Sequence, residues 1–137
     1  MKTSIGITQE NRQIVTDILS QLLADEFVIY TKTRNAHWNV EGLDFHDKHL
    51  FFEAQYKQLE IAVDDVAERI RKLGHYAPAS LKQFLALTHV SEENEHDNDS
   101  RGFIKALLED HESVIHYIRL TLRQWQMTIK TKEQVIL

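Results

Sequence analysis

Five residues have the types and spacing to hold a transition metal: His37, His49, Glu53, Asp64 and Glu68. His37 and His49 are symmetric about residue 43, beside a break at Gly42. An antiparallel helical hairpin turning there sets the two imidazoles across from each other. Glu53 follows His49 by four residues, and Glu68 follows Asp64 by four. At ~100° per residue, the step from Glu53 to Asp64 returns to nearly the same azimuth, so these four share one helix face.

They cannot share one ion within one chain. At a rise of ~1.5 Å per residue, His49 and Glu68 are roughly 28 Å apart, and Glu53 and Asp64 roughly 16 Å. Metal–ligand bonds are only about 2.0–2.6 Å long. Both pairs nevertheless have the same midpoint, between Gln58 and Leu59. A two-fold axis there, pairing the helix antiparallel with its copy, sets His49 against Glu68 of a second chain and Glu53 against Asp64 of that chain. Each dimer then carries two identical sites, with imidazoles from one chain and carboxylates from the other. Such a donor set suits Fe(II), Mn(II) or Zn(II) better than copper or a thiophilic metal. The competing reading is a solvated face, the ordinary fate of acidic residues at this spacing.

These residues need long helices to position them. The chain has one proline, Pro78, and four glycines, so breakers are few. The first pattern covers residues 9–39, with Ile14, Ile18, Leu22 and Val28 at helical spacing and Thr8 as N-cap. A second covers 44–73, with Leu59, Ala62, Val66, Ile70 and Leu73 as its stripe, Asp44 as cap and Gly74 at the C′ position. Ser80-Leu81-Lys82-Gln83 reads as a capping box opening a short helix over 80–88, with Leu81, Phe84, Leu85 and Leu87 as its apolar side. A third long helix is predicted over 100–128, with Phe103, Leu107, Leu108, Val114, Ile118, Leu122 and Trp125 as its stripe. Residues 1–8 form an arm and 129–137 an atypical tail, too short for a further full-length helix. The expected class is an all-α bundle in one domain, 1–137.

Composition narrows the chemistry. The 137 residues contain no cysteine, which excludes disulfides and thiolate sites and fits a reducing compartment. No apolar run approaches the ~20 residues that span a bilayer, and no secretory leader is evident near Met1. A cytoplasmic location is expected. The net charge of −5 opposes polyanions unless a local basic patch offsets it. Lys2, Lys130 and Lys132 are too thinly spaced to form one.

Arg34-Asn35-Ala36-His37-Trp38-Asn39-Val40, followed by Gly42, Phe45 and His49, resembles the signature of the Dps miniferritins. So do Asp64-Asp65-Val66-Ala67-Glu68-Arg69-Ile70 with Leu73-Gly74, and the short-helix stretch Ser80 to Leu85. The resemblance covers about residues 10 to 125. It implies a ferritin-like bundle with a short helix in the crossover, a two-fold dimer building to a hollow dodecamer, and an inter-subunit ferroxidase centre. That centre oxidises Fe(II) to Fe(III), preferably with hydrogen peroxide, and the shell stores the ferric mineral against oxidative damage. The implied metal ligands are His37, His49, Asp64 and Glu68, with Glu53 where the family usually has aspartate. Zn(II) or Mn(II) would fit the same donors. Trp38 is similar to the family's tryptophan near the iron, a sink for stray oxidising equivalents; a core indole is the alternative.

The resemblance has two departures. The family's last helix is not recognisable after Trp125, so the final helix reads as truncated or diverged. The lysine-rich tail of DNA-binding members is also absent, and DNA is not an expected partner. A DNA-coating protein and a catalytically silent helical scaffold are the competing functions. Glu93-x-x-His96 imitates half of a di-iron motif without its second half. His111 and His116 fit a solvated face, and His46, His75 and His89 have no recognisable partners in the sequence.

Overall fold

The computed structural model describes residues 6–136, with side chains through residue 128. Four helices are present: α1 (Gln9–Asn39), α2 (Phe45–Lys72), α3 (Leu81–Leu87) and α4 (Ser100–Ile136). No strand is assigned among the described residues.

Helix ends follow local chemistry. Thr8 Oγ1 accepts the Asn11 N–H at 3.2 Å, capping α1. Val40 then turns extended, and Gly42 takes φ +123° to reverse the chain. At the end of α2, Gly74 adopts φ +88°; its N–H donates to Arg71 O and that of His75 to Ile70 O, a Schellman closure. Ser80 Oγ accepts the Gln83 N–H. The Gln83 side chain reaches back one residue further than a capping box requires, to the Ala79 N–H.

The expected Asp44 cap is corrected. Its side chain makes no capping bond on α2 and instead accepts the Ser100 hydroxyl at 2.7 Å, joining the α1–α2 turn to the start of α4. Glu41 N–H reinforces that junction through Asn98 O at 2.7 Å. α4 continues past Met127 to Ile136, because neither glycine nor proline occurs after Gly102.

α1 is the central element. The pairings His37 with His49 and Tyr30 with Glu60 set α2 antiparallel to it. Glu41 with Asn98 and Lys32 with Asp110 do the same for α4. One core cluster joins α1, α2 and α4 through Val28, Ile29, Phe52, Leu59, Phe103 and Leu107. A second lies under α3, where Phe84 stacks on Phe27 at 4.5 Å beside Leu23 and Ile70. Two expected stripes are only partly buried. Leu81 and Leu85 of α3 are exposed, as are Leu108 and Leu122 of α4, whereas Leu107 is buried. Among the described residues α4 packs broadly on α1 alone, so it buries a narrower face than its sequence offers.

Two buried charges on α1 hold the crossover. Asp25 accepts the Thr88 hydroxyl and the His89 N–H, both at 2.7 Å. Lys32 donates to Ser91 O at 2.9 Å and pairs with Asp110 at 2.6 Å. No helix among the described residues is long and apolar enough to cross a membrane.

Candidate metal centre

The turn at Gly42 brings the end of α1 against the start of α2. There the His37 and His49 rings stack, with centroids 3.8 Å apart and planes inclined by 16°. Each Nδ1 lies 2.7 Å from the other residue's backbone carbonyl. A carbonyl only accepts, so both Nδ1 atoms carry a proton, and in the neutral rings this leaves each Nε2 as the atom with a lone pair. This orienting bond from the second ring nitrogen is typical of ligating histidines. His37 is buried and His49 half-buried, so the two rings are held in place and could together offer a metal two nitrogens.

The carboxylates do not join it within the chain. Asp64 and Glu68 are exposed further along α2, and half-buried Glu53 pairs with Lys57 at 3.8 Å. Among the described residues no group of three or more His, Cys, Asp or Glu is close enough to hold one ion. The helix rise separates His49 from Asp64 and Glu68.

Trp38 is 65% exposed. The described aromatic contacts of His37 are His49 and Tyr56, whose ring meets it edge-on with centroids 5.1 Å apart. Tyr56 belongs to a cluster that the sequence reading missed. The Arg34 guanidinium lies 3.9 Å from the Tyr56 ring centroid and 5.7 Å from that of Trp38. Its Nε–H donates to Tyr30 Oη at 3.0 Å, and Tyr30 Oη–H donates to Glu60 Oε1 at 2.8 Å. The Tyr30 hydrogen bond, foremost, holds the Arg34 pKa above its ordinary value. The signal was the i,i+4 spacing of Tyr30, Arg34 and Trp38 and of Tyr56 and Glu60. It is uninformative until the register between α1 and α2 is known.

The remaining histidines are scattered. His89 is not partnerless: its Nδ1 meets Asp25 Oδ2 at 3.2 Å and its ring stacks on Tyr117 at 4.0 Å. His96 donates Nδ1–H to Asp97 O. Burial, partly opposed by Asp110, lowers the pKa of His111. His46 and His116 are exposed and His75 is half-buried.

Comparison with known proteins agrees with this architecture. Residues 16–125 match the family model described as ferritin-like domain. A low temperature-induced protein of Nostoc is 36% identical over 118 residues, covering 86% of this chain and 66% of its own length. This chain therefore spans just under two thirds of that relative. The DNA protection during starvation protein 2 of Bacillus anthracis is 30% identical over 105 residues, 77% of this chain and 70% of that protein. Among solved structures, the Dps protein of Vibrio cholerae aligns with a TM-score of 0.79 at 26% identity, covering 96% of this chain and 85% of that one; it is described as a member of a broad superfamily of ferritin-like diiron-carboxylate proteins. With the bundle, the crossover helix and a match spanning most of its length, this chain belongs to the Dps family of ferritin-like proteins.

Proposed function

We propose that this protein is an iron-storage miniferritin and ferroxidase whose sites form between two copies of α2. The carrying observation is the stacked His37–His49 pair, whose reciprocal Nδ1–H bonds to backbone carbonyls leave each Nε2 as the nitrogen available to a metal. An axis through the Gln58–Leu59 midpoint would bring Asp64 and Glu68 of a second copy to that pair, with Glu53 beside them. Fe(II) is the substrate, and Zn(II) or Mn(II) would compete for the same donors.

Imidazole nitrogens bind the ferrous ion, and the hard carboxylates favour the ferric product. Two Fe(II) ions give one electron each to hydrogen peroxide, which takes up two protons and leaves as two waters. Pairing the electrons in this way avoids hydroxyl radical. Dimers of this kind would build to a dodecamer enclosing the mineral, in the cytoplasm.

The test is an anaerobic Fe(II) titration followed by peroxide, with particle size measured on the same sample. Rapid oxidation by peroxide, together with an iron-filled assembly, is expected. A protein that binds no Fe(II) at any size would refute the proposal and favour a silent scaffold. DNA coating is the other competing function. At net charge −5, binding would rest on short runs such as Arg69, Arg71 and Lys72 and collapse with salt. Plasmid mobility at near-physiological salt is expected to be unchanged, and retardation there would restore the DNA reading.

A further inference from the structure

Besides His49, the candidate ligand His37 meets a tyrosine ring, and that tyrosine leads to another with a built-in proton acceptor. Tyr56, 7% exposed, meets His37 edge-on at 5.1 Å and Tyr30 edge-on at 6.3 Å. The three rings form a continuous path from the imidazole into the α1–α2 interface. At its end, Tyr30 Oη–H donates to Glu60 Oε1 at 2.8 Å while accepting from Arg34 Nε–H at 3.0 Å. A phenol gives up an electron readily only if its proton can leave at the same moment. The Glu60 carboxylate is placed to take it, and Arg34 keeps a bond on the oxygen that remains. The same guanidinium lies 3.9 Å from the Tyr56 ring centroid and 5.5 Å from that of Tyr30, so its positive charge opposes oxidation of the nearer Tyr56 ring more strongly.

We propose that Tyr30 is the electron donor that removes one-electron oxidising equivalents escaping the iron site, with Tyr56 as the intervening ring and Glu60 as the proton acceptor. This rests on the ferroxidase reading. When peroxide takes one electron from Fe(II) instead of two, it gives Fe(III), hydroxide and hydroxyl radical. The radical then takes an electron through Tyr56 from Tyr30 and becomes hydroxide. The Tyr30 proton moves to Glu60, leaving a neutral tyrosyl and a protonated carboxyl. Charge and atoms balance with peroxide as the sole oxidant. Trp38, though adjacent to His37 in sequence, is 65% exposed; a hole resting there would reach solvent and neighbouring molecules, whereas Tyr30 is half-buried.

The test separates this role from iron chemistry. The sequence has four tyrosines: Tyr30, Tyr56, Tyr76 and Tyr117. In a Tyr76→Phe, Tyr117→Phe background, metal-free protein is oxidised by a flash-quenched ruthenium polypyridyl complex and examined by electron paramagnetic resonance. A neutral tyrosyl signal is expected, lost in Tyr30→Phe and formed more slowly in Glu60→Gln, whose exposed amide still accepts the bond but is a poor base. The same signal is expected when Fe(II) and peroxide replace the photo-oxidant. A tyrosyl signal of equal size in Tyr30→Phe, or a tryptophanyl signal in its place, would overturn the proposal. If the photochemical signal tracks Tyr30 but the protein oxidises no Fe(II), the ferroxidase reading fails while Tyr30 keeps its redox role.

Discussion

Lys32 on α1 and Asp110 on α4 form an ion pair of 2.6 Å with side-chain exposures of 8% and 16%. A second bond runs from Lys32 Nζ to Ser91 O, so one ammonium ties α1 to both the crossover and α4. Removing one member strands a desolvated charge. Lys32→Ala is expected to cost about 3–5 kcal/mol in urea unfolding. The double variant Lys32→Met, Asp110→Leu is expected to recover most of that loss, because no buried charge remains. Equal destabilisation of the two variants would mean that the Ser91 bond carries the effect.

Burial, and then the neighbouring Asp25 carboxylate, raise the pKa of Glu26 above the ordinary 4.5. The folded state therefore binds its proton more tightly than the unfolded chain. This group's contribution is most favourable below that ordinary value and declines as pH rises through the raised one. His111 acts in the opposite direction. Its pKa is lowered from 6.5, chiefly by burial, so stability falls as pH drops through that value. Glu26→Gln is expected to stabilise the fold at neutral pH and to lose its advantage in acid. Urea midpoints from about pH 4 to about pH 8 provide the check. An advantage that does not vary with pH would assign the gain to packing.

The four helices, the Thr8 cap, the Gly74 stop and the pairing of His37 with His49 were legible because each depends on spacing or on one or two local residues. Asp44 was misread because its hydroxyl partner, Ser100, is distant in sequence. The Lys32–Asp110 and Asp25–His89 pairs were invisible for the same reason: a lone charge on an apolar face does not announce its partner. The contact of Tyr56 with His37 was not legible because the two residues are close in space and distant in sequence. On a helix, the neighbour of His37 in the chain points elsewhere.

Leu107 and Leu108 are consecutive, yet their exposures are 5% and 55%. Leu107→Ala is expected to cost about 2–5 kcal/mol as a buried truncation. Leu108→Lys and Leu122→Lys are each expected to change stability by less than about 0.5 kcal/mol. Chemical denaturation of the isolated chain at low concentration makes this comparison. A large loss from Leu108→Lys would mean that this face is covered in solution, and its dependence on protein concentration would identify a second copy as the cover.

The location of the active site can be tested by subunit mixing. If His37 and His49 come from one chain and Asp64 and Glu68 from its partner, His37→Ala and Asp64→Ala each damage both sites of their own dimer. In a mixed dimer, one site receives both lesions and the other receives none. Statistical exchange makes about half the dimers mixed, so roughly a quarter of wild-type sites return if the sites act independently. A site held within one chain gives no rescue, because every chain then carries a lesion in its own site. The two variants are co-refolded, mixed dimers are verified by mass spectrometry, and peroxide-driven Fe(II) oxidation is measured. Verified mixed dimers without recovered activity would sink the shared-site arrangement, while recovery near a quarter would assign the imidazoles and the carboxylates to different chains.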